Sequence, residues 1–229
     1  MTPILGATCD ICGERVGREQ ATLERRVCVA CTQEPPHFTK AVAYGPYDSE
    51  LRELIHLLKY EQVETAASLL GRMLAEAIEK LNIAADRVLV LPVPLHRSKR
   101  RQRGFNQAEL IARAAMKRCA FEGLEFTAGV LERTRSTVSQ IGLTRAQRAE
   151  NIRGAFRMQH LNRIKGRDVL LVDDVLTTGT TANECARVLR RAGAERVWVA
   201  TVARTLKENA ALFAGEHGDA VSGANIARA

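Results

Sequence analysis

Apolar residues fall into two patterns along this chain. Three stretches are almost unbroken: "RVLVLPVPL" at 87–95, "RDVLLVDDV" at 167–175 and "RVWVATVAR" at 196–204. Runs of this kind lack the alternation of a strand with one wet face and predict strands covered on both sides. "AVAYGPYD" at 41–48 predicts a shorter strand that breaks at Gly45 and Pro46, and "EFTAGVLERTR" at 125–135 another strand. Helical spacing marks "SELRELIHLLKY", "ETAASLLGRMLAEAIEKL", "QAELIARAAMKRCA" and "TANECARVLRRAG". In the first of these, Leu51, Leu54, Ile55 and Leu58 share one face. Strands and helices alternate, which predicts an α/β fold with a mostly parallel sheet and helices on both faces. Trp198, Cys119 and Cys185 then read as packed core residues, the two cysteines within helices, and His56 as surface or satisfied core.

The first 36 residues follow neither pattern. Cys9 and Cys12 form one C-x-x-C pair, Cys28 and Cys31 a second, with residues 13–27 between them. This spacing predicts a small knuckle in which four thiolates hold a structural zinc ion. A segment this short cannot fold on apolar burial alone, and the metal would supply the missing stability. Two thiol pairs without metal are the alternative. Pro35 and Pro36 end the segment, so the predicted units are a knuckle at 1–36, an α/β domain at 37–206 and a disordered tail at 207–229.

Composition narrows the class further. With 229 residues, 46% hydrophobic and 4% aromatic, the chain is an ordinary globular protein without a surface built mainly of base-stacking rings. No segment approaches the roughly 20 apolar residues that span a bilayer, and the N-terminus lacks the basic and apolar regions of a signal peptide. A cytoplasmic location with no membrane insertion is the expectation. There, paired thiols mean metal more often than disulfide. The net charge of +8 points to an anionic partner.

"VLLVDDVLTTGTT" at 169–181 carries the chemistry. A buried strand is expected to end at Val172, with Asp173 and Asp174 emerging at its tip. Thr177, Thr178, Gly179, Thr180 and Thr181 would then wrap into the N-terminus of the next helix, where backbone N–H groups and the helix dipole attract an anion. Thr181 with Glu184 also has the form of a helix cap. A phosphate beside a diol suits the loop, because carboxylates accept hydrogen bonds from adjacent hydroxyls. Neither a Walker A loop nor a G-x-G-x-x-G turn is present. In "HRSKRRQRGFNQ" at 96–107, read as a loop, Arg97, Lys99, Arg100, Arg101 and Arg103 follow a strand end, with Phe105 as its anchor. These cations suit an anionic ligand, a polyanion such as single-stranded DNA included.

The strand with two acidic residues and a TTG turn resembles the phosphoribosyl pyrophosphate (PRPP) motif of type I phosphoribosyltransferases. Together with "LPVPLHRSKRRQRGFNQAELIA", "QIGLTRAQRAENIRGAF" and the double C-x-x-C segment, the chain resembles the ComF family. Its members are phosphoribosyltransferase-like proteins associated with DNA uptake in competent bacteria. The resemblance implies that Asp173 and Asp174 face the ribose hydroxyls of PRPP, and that Thr177, Thr178, Gly179, Thr180 and Thr181 cradle its 5′-phosphate. It assigns the five cations of 97–103 to the pyrophosphate, with Mg²⁺ as the bridging ion. A mobile loop carrying Gln140, Arg145, Arg148 and Asn151 would close over the ligand. Two functions stay open at this point. One is transfer of a phosphoribosyl group to an acceptor. The other is a non-catalytic adaptor or sensor that binds single-stranded DNA or a protein of the uptake machinery.

Overall fold

The computed structural model describes residues 4, 6–17, 23–61, 63, 65–83, 85–119, 123–136 and 144–206. The predicted tail at 207–229 lies outside them. The main sheet contains β1 (Lys40–Pro46), β2 (Val88–Pro92), β3 (Leu124–Phe126), β6 (Asp168–Leu176) and β7 (Val197–Arg204). Their order is β1-β7-β6-β2-β3 and every pairing is parallel. A two-stranded antiparallel sheet of β4 (Leu131–Arg133) and β5 (Phe156–Met158) stands apart from it. The helices are α1 (Val29–Gln33), α2 (Ser49–Tyr60), α3 (Thr65–Glu79), α4 (Arg97–Arg103), α5 (Gln107–Met116), α6 (Arg145–Ile152) and α7 (Thr180–Arg191).

The central strand explains the architecture. Leu170 and Val172 of β6 pack on one face with Leu51, Ile55 and Leu58 of α2, Leu70 and Leu74 of α3, and Ile111 of α5. Val169 and Leu171 pack on the other with Cys185 and Leu189 of α7 and Phe156 of β5. An unbroken apolar run therefore fills two cores at once, as the sequence pattern requires. Trp198 is buried in the first core, and His56 is exposed against the ring of Tyr60.

Several expectations are corrected. β1 runs through Gly45 and Pro46, which pair with Ala203 and Arg204. Proline is tolerated there because β1 is an edge strand. The basic stretch is a helix, α4, and not a loop: His96 accepts a bond from Ser98 N–H at its start, and Gly104 ends it at φ 84°. Residues 125–135 form parts of two strands in different sheets, separated by Gly129 at φ 79°. Cys119 lies beyond the end of α5, where burial pushes its thiol up to about 11.

The knuckle folds as two turns. Thr8 and Arg15 bridge around the first C-x-x-C pair, with Gly13 at φ 71°, and the second pair starts α1. It is fastened to the sheet: Ala41 N–H donates to Ile11 O at 2.7 Å, and Ile11 and Cys12 pack on the second core.

Gly71 sets the approach of α3 to α5. A Cβ there would lie 2.4 Å from Ala114 Cβ and 2.9 Å from its carbonyl carbon. Gly71→Ala is expected to destabilise by up to about 2 kcal/mol, because overpacking of about 1–3 kcal/mol outweighs the gain in helix propensity of roughly 1 kcal/mol. Thermal unfolding of wild type and variant checks this; an unchanged or higher midpoint would contradict it.

Candidate functional site at the carboxyl end of the central strand

β6 does not stop before its acidic residues. It continues to Leu176, with Asp173 paired to Thr201 and Leu176 to Arg204. The carboxylates thus lie within the ladder and not at a free tip, and Asp174 is only 4% exposed. The alternation of the strand slips here. Val172 faces the first core, yet Leu176 faces the second, which strict alternation over four residues forbids. The two acidic residues are tied at this point, where Asp174 N–H donates to Asp173 Oδ1 at 2.9 Å.

Like charges this close require compensation, and it comes from three other elements. Lys59 of α2 forms an ion pair with Asp174. Burial works against the charge on Asp174, but Lys59, the bond to Asp173 and Arg103 of α4 overcome it and hold the carboxyl below its usual range. Asp173 takes the opposite course. Burial and the neighbouring Asp174 charge raise it well above the usual carboxylate range. Arg133 of β4 is near enough that Asp173 supports its charge against burial. Lys59 and Arg133 escaped the sequence reading, although each leaves a trace. Lys59 sits four residues after Ile55, on the apolar face of its helix, and Arg133 sits two after buried Leu131 on the same side of its strand.

The turn after β6 leads straight into α7. Gly179 adopts φ 78° at the N-cap of this helix and, as a glycine, supplies no side-chain cap. Thr181 is therefore not a cap, and Glu184 does not close a capping box. Glu184 instead accepts from Gly154 N–H at 2.8 Å and pairs with Arg187 at 2.6 Å. Thr178 and Thr180 hydroxyls lie 3.1 Å apart over the turn. A helix start left without a side-chain oxygen offers its amides and dipole to an external anion.

α4 enters the same edge, because Val93 N–H donates to Val172 O at 2.8 Å and Asn106 pins the segment by donating to Val93 O at 3.0 Å. Of its five cations, Arg103 is the one brought to the carboxylates; it donates to Gln107 at 2.5 Å and lies over the Tyr60 ring. Arg97 pairs with Glu132 and Arg100 with Glu109, Lys99 donates to Gln102, and Arg101 is exposed. Phe105 packs against the first core, the anchoring role expected of it. Arg148 and Asn151 lie on α6, which packs against α7. Gln140 and the side chain of Arg145 lie outside the described residues.

The sulfurs of Cys9, Cys12, Cys28 and Cys31 lie within 4.8 Å of one another and could hold a metal ion, an arrangement compatible with structural zinc. Hydrogen bonds from Cys12 and Cys31 drive the Cys9 thiol far down, whereas bonds to Cys12 and Cys9 drive Cys31 far up. Four sulfurs this close resist full deprotonation without a cation between them.

Two substitutions at the strand end should move stability in opposite directions. Asp173 has a raised native value, so its ionisation costs stability as pH rises above the unfolded value of about 4, and the cost is complete above the native one. Asp173→Asn is therefore expected to stabilise by about 1 kcal/mol at neutral pH, roughly 2–4 °C, with the gain shrinking as pH falls toward about 4. Lys59→Met leaves Asp174 buried without its cation and is expected to cost about 3 kcal/mol. Thermal melts across pH check both, and a destabilised Asp173→Asn at neutral pH would contradict the first.

Comparison with known proteins places this geometry. Residues 59–212 match the phosphoribosyl transferase domain family. The DNA utilization protein YhgH of Escherichia coli is 35% identical over 193 residues, covering 81% of each chain. Competence protein F of Haemophilus influenzae is 32% identical over 181 residues, covering 77% of this chain and 78% of that one. Ribose-phosphate pyrophosphokinase 2 of Archaeoglobus fulgidus is 49% identical over 49 residues, covering 21% of this chain and 18% of that protein. A phosphoribosyl transferase domain spanning most of the chain and relatives matched over about four fifths of their length lead to one conclusion: this chain belongs to the ComF family.

Proposed function

We propose that the chain binds PRPP at the carboxyl edge of its sheet and acts in the uptake or use of DNA. The observation that carries this reading is the carboxylate pair of half-buried Asp173 and buried Asp174, set just before a helix whose N-cap is a glycine. The pair accepts the ribose hydroxyls, and the amides and hydroxyls of Thr177, Thr178, Gly179, Thr180 and Thr181 take the 5′-phosphate. Arg103, already at the site, faces the diphosphate, with Arg97, Lys99, Arg100 and Arg101 on the same helix. The names of the relatives, a DNA utilization protein and a competence protein, support the biological setting.

The residues also fit the inorganic groups. Lys59 pairs with Asp174, and Asp173, whose proton is retained by burial and by its neighbour, would give it up to a Mg²⁺ ion held mainly by ligand oxygens. When bound, that ion would spread the charge of the leaving diphosphate. The four cysteines have the ligand set of structural zinc, closed to substrate. Transfer to an acceptor requires C1 of the ribose to develop positive charge while diphosphate leaves. Asp173 and Asp174 orient the ring for that step, and α4 receives the departing charge.

A second reading has its own support. Lys99, Arg100 and Arg101 are exposed on α4 beside the site, a surface suited to the backbone of single-stranded DNA in an adaptor or sensor. If about four phosphates are engaged there, affinity should fall roughly 50-fold between about 50 and 200 mM salt. No binding of an oligonucleotide at the lower salt would dismiss this reading.

Titration calorimetry with PRPP and Mg²⁺ tests the first. Wild type is expected to bind, and the double variant Asp173→Asn, Asp174→Asn to bind about 100-fold more weakly, since two charge-assisted hydrogen-bond sets are removed. A folded, zinc-loaded wild type that binds no PRPP would overturn it.

A further inference from the structure

Arg204, the last residue of β7, has a side chain only 5% exposed. Arginine is seldom buried unless its donors find partners. Its Nη2 donates to Glu14 Oε2 at 3.2 Å and to Cys12 Sγ at 3.7 Å, both in the knuckle. Its Nε and Nη1 are buried with no acceptor among the described residues. Glu14 is itself 7% exposed. One carboxylate does not satisfy a buried guanidinium, whereas a cluster of metal-bound thiolates is a set of acceptors carrying negative charge. The orphaned donors therefore fit a loaded cysteine cluster at Cys9, Cys12, Cys28 and Cys31.

The backbone of Arg204 lies in the frame of the phosphate turn. It pairs with Leu176, whose carbonyl also accepts from Thr205 N–H at 3.1 Å. Leu176 immediately precedes the 177–181 turn, and its Cδ1 lies 3.9 Å from the position of a Cβ on Gly179. A second tie joins the other end of the turn: His37 N–H, in the linker after α1, donates to Asn183 Oδ1 in the first turns of α7 at 2.6 Å. The knuckle and its linker thus grip the turn from both sides.

We propose that metal loading of the cysteine cluster controls the anion-binding turn through Arg204. With the cluster loaded, Arg204 is held between its sulfurs and Glu14, and β7 fixes Leu176 and the turn. Without metal, the guanidinium keeps Glu14 but loses the charged thiolates as acceptors, and the turn loosens. Because linkage is reciprocal, a ligand on the turn tightens the metal in its cluster. The effect on ligand affinity rests on the PRPP reading; the effect on the turn itself does not.

Hydrogen exchange on the full chain separates the two. Chelation of zinc is expected to speed exchange of the amides at 176–183 at least tenfold while those of β2 stay unchanged. Zinc-loaded Arg204→Gln and Glu14→Gln should show the faster exchange without chelation. Calorimetry with PRPP and Mg²⁺ should then give an affinity at least about fivefold lower after chelation, the lower end of common allosteric couplings. Exchange at 176–183 that does not respond to chelation in a folded chain overturns the proposal. If chelation unfolds the whole chain, zinc-loaded Glu14→Gln decides, and wild-type exchange at 176–183 in that variant overturns it. Zinc-dependent exchange with no PRPP binding in any state would keep the coupling and remove the PRPP reading.

Discussion

Two adjacent carboxylates inside a buried strand are the constraint on which the rest of this structure depends. Asp173 and Asp174 cannot both ionise in that position without cations, and no neighbour on β6 supplies one. Compensation has to come from elements distant in sequence: Lys59 from α2, Arg103 from α4, Arg133 from β4. α2 and β4 are in turn held by apolar packing on the two cores, and α4 is held by Phe105 and Asn106 just beyond its end. The electrostatic requirement of one dipeptide therefore fixes where three elements must meet. A stable protein would be easier to build with two apolar residues there, and the retained cost supports the proposal that the strand end is a site.

The parallel sheet determines what lies around that site. Parallel strands deliver all their carboxyl ends to one edge. The end of β2 runs into α4, the end of β6 into the turn of Gly179, and the end of β7 into Arg204. One edge thus collects a basic helix, a carboxylate pair, an uncapped helix start and a tie to the knuckle. The knuckle is not an independent bead on the N-terminus, since Ile11, Cys12 and Glu14 all contact the body of the protein.

The sequence was most informative where chemistry and local pattern coincide. The unbroken runs identified strands with two covered faces, and the helix over 49–60 was legible from the spacing of Leu51, Ile55 and Leu58. The C-x-x-C pairs announced a four-sulfur cluster that the fold assembles. Misreadings came from residues whose local preference is weak against context. Pro46 reads as a breaker, but the outer strand of a sheet has no second ladder for it to interrupt. The stretch from Arg97 to Arg103 reads as a charged loop because it lacks an apolar face, yet His96 and Gly104 close it as a helix. Thr181 and Glu184 have the spacing of a capping box, but Gly179 takes the cap position and Glu184 is drawn to Gly154 and Arg187.

By itself, then, the sequence determined the class of fold, the four-cysteine cluster and the acidic dipeptide at the end of the central strand, because each is written in short-range pattern. Only the tertiary structure decided which cations face Asp173 and Asp174, that the pair lies within the strand, and that Arg204 joins the cysteine cluster to the turn. Those facts depend on contacts between residues such as Lys59 and Asp174, or Glu14 and Arg204. Charge–charge attraction across such separations leaves no periodicity in the chain, and it acts only after the two cores have brought the partners together.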